Sequence, residues 1–122
     1  MNLASPALVF DVPDMQTSSD FAQKHLGFQV TAASNTFTVL EHEDHGLRLI
    51  FGPLAADAAP TNFRQLQVGF LVTDVNDHWE RLKDQVTVGD PVQTLTLPTF
   101  REGYFQIADP NGVVYRLMAF VD

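Results

Sequence analysis

The 122-residue chain has no cysteine, which excludes disulfides, thiolate nucleophiles and thiolate metal sites in one step. Basic side chains are scarce: seven Lys and Arg stand against fifteen Asp and Glu, for a net charge of −8. A surface of that sign repels phosphate backbones, so nucleic acid is not an expected partner; it favours solubility and would welcome cationic small molecules. No apolar run reaches bilayer-spanning length, and Met1-Asn2-Leu3-Ala4-Ser5-Pro6 lacks the basic start and apolar stretch of a signal peptide. The expectation is a cytoplasmic protein with no membrane partner. Also missing are a glycine-rich phosphate loop, a nucleophile elbow and a Ser/His/Asp arrangement with usable spacing.

What is present is a repetition. Phe10-Asp11-Val12-Pro13-Asp14-Met15 returns as Phe70-Leu71-Val72-Thr73-Asp74-Val75, a spacing of 60 residues. Each copy is followed by a helical segment and then by strand-like segments, and the halves close on Leu47-Arg48-Leu49 and Tyr115-Arg116-Leu117. A period near half the chain length, with the same order of elements in both halves, predicts an α+β fold built from two βαβββ modules. A chain of this length makes one domain, 1–122, with modules at about 1–52 and 66–122, and the Ala- and Pro-rich segment 52–65 joins them.

Within the first module, Leu8, Phe10 and Val12 alternate with Ala7, Val9 and Asp11, which predicts a strand with one apolar face. Asp14 or Thr17 can cap the next helix, whose inner side would be Met15, Phe21, Ala22 and Leu26, and Gly27 can stop it. Strands follow over 28–32, 37–40 and 47–51, with Glu41-His42-Glu43-Asp44-His45-Gly46 as a polar turn. In the second module Val68, Phe70 and Val72 alternate with Gln67, Gly69 and Leu71, and Val75, Trp79 and Leu82 form the core stripe of a helix over 74–83. Strands are predicted over 91–97, 103–108 and 114–120, the last entered through Asp109-Pro110-Asn111-Gly112, a hairpin signal.

Four stretches in this order resemble the vicinal oxygen chelate superfamily, which includes glyoxalases, extradiol dioxygenases and bleomycin-resistance proteins. They are Val12-Pro13-Asp14-Met15, Phe21 through His25-Leu26-Gly27-Phe28, Val68-Gly69-Phe70 with Val72-Thr73-Asp74-Val75, and Asp109-Pro110-Asn111-Gly112 followed by Tyr115-Arg116-Leu117. The resemblance implies mixed sheets curled into a cup. In the family's enzymes it also implies a divalent metal held from four strand positions: a His or Gln in the first strand, an acid in the fourth, a His opening the fifth and a Glu in the eighth. Here those positions fall on Ala7, Arg48, Gln67 and Arg116. Alanine has no donor atom and guanidinium does not deprotonate, so only Gln67 could coordinate, and no metal or other cofactor is expected.

If Ala7, Arg48, Gln67 and Arg116 share the concave face, Val9, Ile50, Leu71, Val114 and Met118 lie beside them, giving an apolar trough with two cations and an amide. Phe100, Tyr104 and Phe105 are candidate aromatic walls, and Asp11 is the one carboxylate considered for acid/base work or for pairing with the arginines. The ligand-binding set expected from the sequence is therefore Arg48, Arg116, Gln67, Asp11, Phe100, Tyr104, Phe105 and Met118. The functional expectation is a metal-independent binder of a small organic molecule, an antibiotic or an aromatic or anionic metabolite, similar to bleomycin-resistance proteins. The alternative is a glyoxalase-type lyase or isomerase, or a dioxygenase, with non-standard ligands such as Glu41, Glu43 or Glu102; His42 and His45 offer further donor types. Curled sheets with edges to cover also predict a homodimer. Sedimentation at micromolar concentration should accordingly give twice the 13.6 kDa chain mass; a monomer alone would refute this.

Overall fold

The structure, a computed structural model, describes residues 6–55, 67–85, 93–96 and 101–121. The chain divides into two compact units, Met1–Pro60 and Thr61–Asp122. In the first, β1 (Ala7–Val12) leads through α1 (Met15–Leu26) to β2 (Gln29–Ala33), β3 (Thr38–His42) and β4 (His45–Pro53). The second has β5 (Gln67–Leu71), α2 (Val75–Leu82), β6 (Gln93–Thr96), β7 (Arg101–Ala108) and β8 (Val114–Val121). Each unit is thus βαβββ, and the sheets share one topology, β1-β4-β3-β2 and β5-β8-β7-β6. The last strand of each unit lies parallel to the first and antiparallel to its predecessor, so both sheets are mixed.

Both helices begin with the same device. Asp14 and Asp74 are extended, with φ of −138° and −140°, and each carboxylate accepts two backbone N–H bonds, from Gln16 and Thr17 in one case and Asn76 and Asp77 in the other. An acid there satisfies helix donors and complements the positive end of the dipole. Of the two cap candidates, Asp14 is the cap; Thr17 stands inside the first turn. α1 stops at Gly27, which is left-handed at φ 77° as a C-cap glycine should be.

Strand alternation buries one face of each sheet. Phe10, Val12, Leu40, Leu49 and Phe51 are core residues in the first unit, as are Val68, Phe105, Ile107, Tyr115 and Leu117 in the second. α1 adds Phe21 and Ala22 but also Ser18, Ser19 and His25, all buried, whereas the expected Met15 and Leu26 are only half-buried. α2 adds Val75 and Leu82, and its Trp79 meets Phe105 edge-on with ring centroids 5.7 Å apart. Val9 and Leu71, on the other faces, are each 64% exposed.

Several boundaries differ from expectation, among them that of β7, which opens at Arg101 and not at 103. The polar segment 41–46 is mostly strand, with His42 paired to His45 across a turn of only Glu43 and Asp44. β4 extends through Pro53, into the expected linker, whose residues 56–65 lie outside the described ones. The Asn111-Gly112 turn is as expected: Gly112 has φ 93°, its N–H reaches the Asp109 carbonyl at 2.9 Å, and the buried Asp109 carboxylate accepts from Asn111 and Val113 N–H.

The repeated cap yields a test. Asp74→Ala should destabilise the protein by about 1 kcal/mol, and Asp74→Asn by much less, because an amide oxygen still caps. Urea denaturation of the two variants measures the difference, and equal losses would show that the cap oxygen is not what matters.

Candidate functional site

In each unit the strand face turned away from the helix carries the candidate site residues. On the first sheet the cross-strand pairs on that face are Ala7 with Arg48, Val9 with Ile50 and Asp11 with Gly52. Arg48 Nε donates to Glu41 Oε1 at 2.5 Å, and the two residues are direct cross-strand partners on β4 and β3. Charge-assisted bonds of this kind are short and directional. The pair is more than a third exposed at both ends, so it orients the guanidinium more than it stabilises the fold. Asp11 is exposed and lies over Gly52, where a Cβ would sit 2.8 Å from its Oδ1. The carboxylate paired with Arg48 is therefore Glu41, which the sequence had offered only as a substitute metal ligand.

A concavity of about 350 Å³ opens beside this pair, lined among others by Gln29, Thr31, Glu41, Glu43, His45 and Arg48. His42 and His45 stack at its rim, centroids 4.4 Å apart and 10° from parallel, each ring edge-on to Phe28. Nδ1 of His42 accepts the Asp44 N–H at 3.1 Å and Nδ1 of His45 the Leu47 N–H at 3.3 Å. A ring whose Nδ1 accepts carries its proton on Nε2, so neither nitrogen is disposed to hold a metal. For the same reason the 3.9 Å approach of Asp44 to His42 Nδ1 is not a formed ion pair while that ring stays neutral.

On the second sheet the corresponding face carries Gln67 paired with Val114, Gly69 with Arg116 and Leu71 with Met118. β7 contributes Tyr104 and Gln106, across from Met118 and Arg116. The Arg116 guanidinium carbon sits 3.8 Å from the centre of the Tyr104 ring, a cation–π contact. Met118 lies across Gly69, where a Cβ would come within 2.7 Å of its Cε. Gln67 Oε1 is shut off from solvent and accepts no hydrogen bond from the described residues.

Of the candidate residues, the second unit thus gathers Arg116, Gln67, Tyr104 and Met118 on one face, and the first places Arg48 and Asp11 on its own. Phe105 is a correction: it is 1% exposed and packs on Trp79 in the core, because adjacent strand residues point to opposite faces and Tyr104 takes the other one. Phe100 lies outside the described residues. The family's metal does not fit the donor set, since Ala7 offers no atom, Arg48 is bound to Glu41 and Arg116 is stacked on Tyr104. Among the described residues no group of three or more His, Cys, Asp or Glu could hold a metal ion, and no helix is long and apolar enough to cross a membrane.

The family model described as Glyoxalase/Bleomycin resistance protein/Dioxygenase superfamily matches residues 6–117. Among solved structures, a glyoxalase/bleomycin resistance protein/dioxygenase from Nocardioides is similar, with TM-score 0.79 and 16% identity over 100% of this chain and 86% of that one. Its counterpart from Alicyclobacillus acidocaldarius gives TM-score 0.77 and 13% identity over 97% and 92%. An integron cassette protein from the mobile metagenome of V. cholerae gives TM-score 0.73 and 20% identity over 99% and 98%. No curated protein matches the sequence.

The stacked histidines predict a pH response. Burial, and after it the neighbouring His42, hold the His45 imidazole below its ordinary 6.5; burial, then Arg81, does the same to His78. The unfolded chain therefore takes up these protons first, and stability present above 6.5 is lost as the pH falls below it. Urea midpoints should drop between about pH 7.5 and about pH 5.5, and His45→Gln should flatten the slope. An unchanged slope in that variant would remove His45 as a cause.

Proposed function

Since the chain belongs to the glyoxalase/bleomycin resistance protein/dioxygenase superfamily, we propose that it is a metal-independent member that binds a small organic molecule against the helix-free sheet faces, as a sequestering protein of the bleomycin-resistance kind does. The observation that carries this reading is Arg116 stacked on Tyr104 and flanked on its own strand by Val114 and Met118, at a position where the family's enzymes carry a metal-binding glutamate. An ammonium or metal cation would be repelled there. A planar, acceptor-bearing or anionic molecule would gain charge-assisted bonds from the guanidinium edge, each contributing about 1.5 to 3 kcal/mol, and apolar contact with Leu71, Val114 and Met118.

Glu41 favours a second reading. It stands on the helix-free face beside Glu43 in the 350 Å³ concavity, so a metal-dependent lyase or dioxygenase with non-standard ligands has two carboxylates to draw on. Against it, Glu41 is engaged by Arg48.

Elemental analysis of untagged protein separates the two, and the binder should carry no stoichiometric zinc, nickel, iron or manganese. Thermal-shift screening with antibiotics and aromatic acids should give hits that Arg116→Met weakens about tenfold or more, whereas Lys83→Met leaves them unchanged. Lys83 pairs locally, with Glu80 on α2. A bound metal lost on mutation of Glu41 or Gln67 would restore the enzyme.

A further inference from the structure

The turn between β3 and β4 is held by side chains more than by its backbone. Two-residue hairpin loops favour residues with positive φ, which match the strand twist, yet neither Glu43 nor Asp44 has one. His42 and His45, the strand pair on either side of the turn, supply the closure instead. Nδ1 of His42 takes the Asp44 N–H at 3.1 Å and Nδ1 of His45 the Leu47 N–H at 3.3 Å. The rings stack with centroids 4.4 Å apart, and both stand edge-on to Phe28. His42 Nε2 abuts the end of α1, where a Cβ on Gly27 would come within 3.1 Å of it. Both bonds and the close stack need uncharged rings. A second proton must go to Nδ1, and an Nδ1–H cannot accept a backbone N–H, while two charged rings at that separation repel.

From this geometry we infer that the hairpin is a proton-operated latch on the concavity beside it: neutral rings hold the turn closed, and protonation of their Nδ1 atoms opens it. The charged groups around the rings favour the exchange. Asp44 Oδ2 lies 3.9 Å from His42 Nδ1, so a protonated ring can trade the Asp44 N–H for the Asp44 carboxylate. Glu43 is the other acid of the turn, and Glu41 on β3 is engaged by Arg48 on β4. β2 carries no charge over Gln29–Ala33. α1 brings Lys24 and His25 in its last turn, with the His25 ring against Phe21. Loss of hydration, and after it the neighbouring His42, holds the His45 imidazole below its ordinary 6.5, which keeps the latch shut at neutral pH. Glu41, Glu43 and both histidines line the concavity of about 350 Å³, so opening the turn dismantles that wall. The latch lies wholly in the first unit and does not depend on the Arg116 site.

Amide solvent exchange followed by NMR on the full chain, corrected for the intrinsic pH dependence of exchange, reads the latch directly. The Asp44 and Leu47 amides should lose protection about tenfold or more between about pH 7.5 and about pH 5.5. The Gln16 and Thr17 amides, capped by Asp14 in the same unit, should keep theirs. An asparagine oxygen also accepts the N–H two residues on but takes up no proton. His42→Asn should therefore hold the Asp44 amide, and His45→Asn the Leu47 amide, at both pH values. Thermal unfolding checks that each variant folds, and the wild-type comparison decides the matter even if neither does. Protection at Asp44 and Leu47 that is unchanged in the wild type, or lost to the same extent in the asparagine variants, overturns the latch.

Discussion

Among the described residues each four-stranded sheet is covered by one helix, on one face only, and the rest of the arrangement follows from that. α1 and α2 bury one face of their own sheet, where Leu49, Phe51 and Tyr115 are fully enclosed. Strand alternation then commits every second residue to the other face, and the chain has placed apolar side chains there as well as charged ones. Val9 and Leu71 gain little from burial in their own units, since at about 25 cal/mol per Å² only the area removed from water counts. An apolar surface ringed by polar groups is the ordinary mark of a place where something else binds.

Duplication has produced the same geometry twice with different chemistry. Arg48 and Arg116 sit at equivalent places on β4 and β8, next to the first strand of their unit. The residue directly across on the neighbouring antiparallel strand decides what each can do. For Arg48 it is Glu41, and the guanidinium is taken up by a carboxylate. For Arg116 it is the uncharged Gln106, and the guanidinium lies instead on the diagonal neighbour Tyr104. Two differences between the units, Glu41 against Gln106 and Val39 against Tyr104, thus separate a cation bound to a carboxylate from one set over an aromatic ring.

The alternation and the caps were legible in the sequence, because both are local: Phe10 and Val12 against Val9 and Asp11 need no partner to be read, nor does an Asp ahead of each helix. The family resemblance likewise rested on short ordered stretches, and its fold is the one observed. What failed was pairing at a distance. Tyr104 and Phe105 are both candidate walls in the sequence, yet neighbours in a strand cannot share a face and Phe105 goes to the core. Ser18 and Ser19 escaped because small polar residues carry no apolar signal, yet they sit buried in the α1 contact. The His42–His45 stack was hidden by a two-residue turn, Glu43-Asp44, that lacks the usual Asn-Gly or Asp-Gly mark. The Gln67 acceptor is invisible in principle from sequence, since its isolation depends on where every nearby donor has gone.

The turn into β8 has a bearing on how long the molecule survives intact. An Asn followed by Gly is the pair in which the peptide nitrogen most readily attacks the side-chain amide, closing a succinimide that reopens largely as isoaspartate. In Asn111-Gly112 the attacking nitrogen is the one whose proton is held by the Asp109 carbonyl at 2.9 Å. The reaction needs that proton to leave, so the closed turn protects the bond and only its local opening exposes it. Isoaspartate would insert an extra methylene into the backbone where the buried Asp109 carboxylate gathers two N–H groups. Ageing at this site is in this way governed by how much of the time the hairpin stands open, since reclosing is far faster than succinimide chemistry.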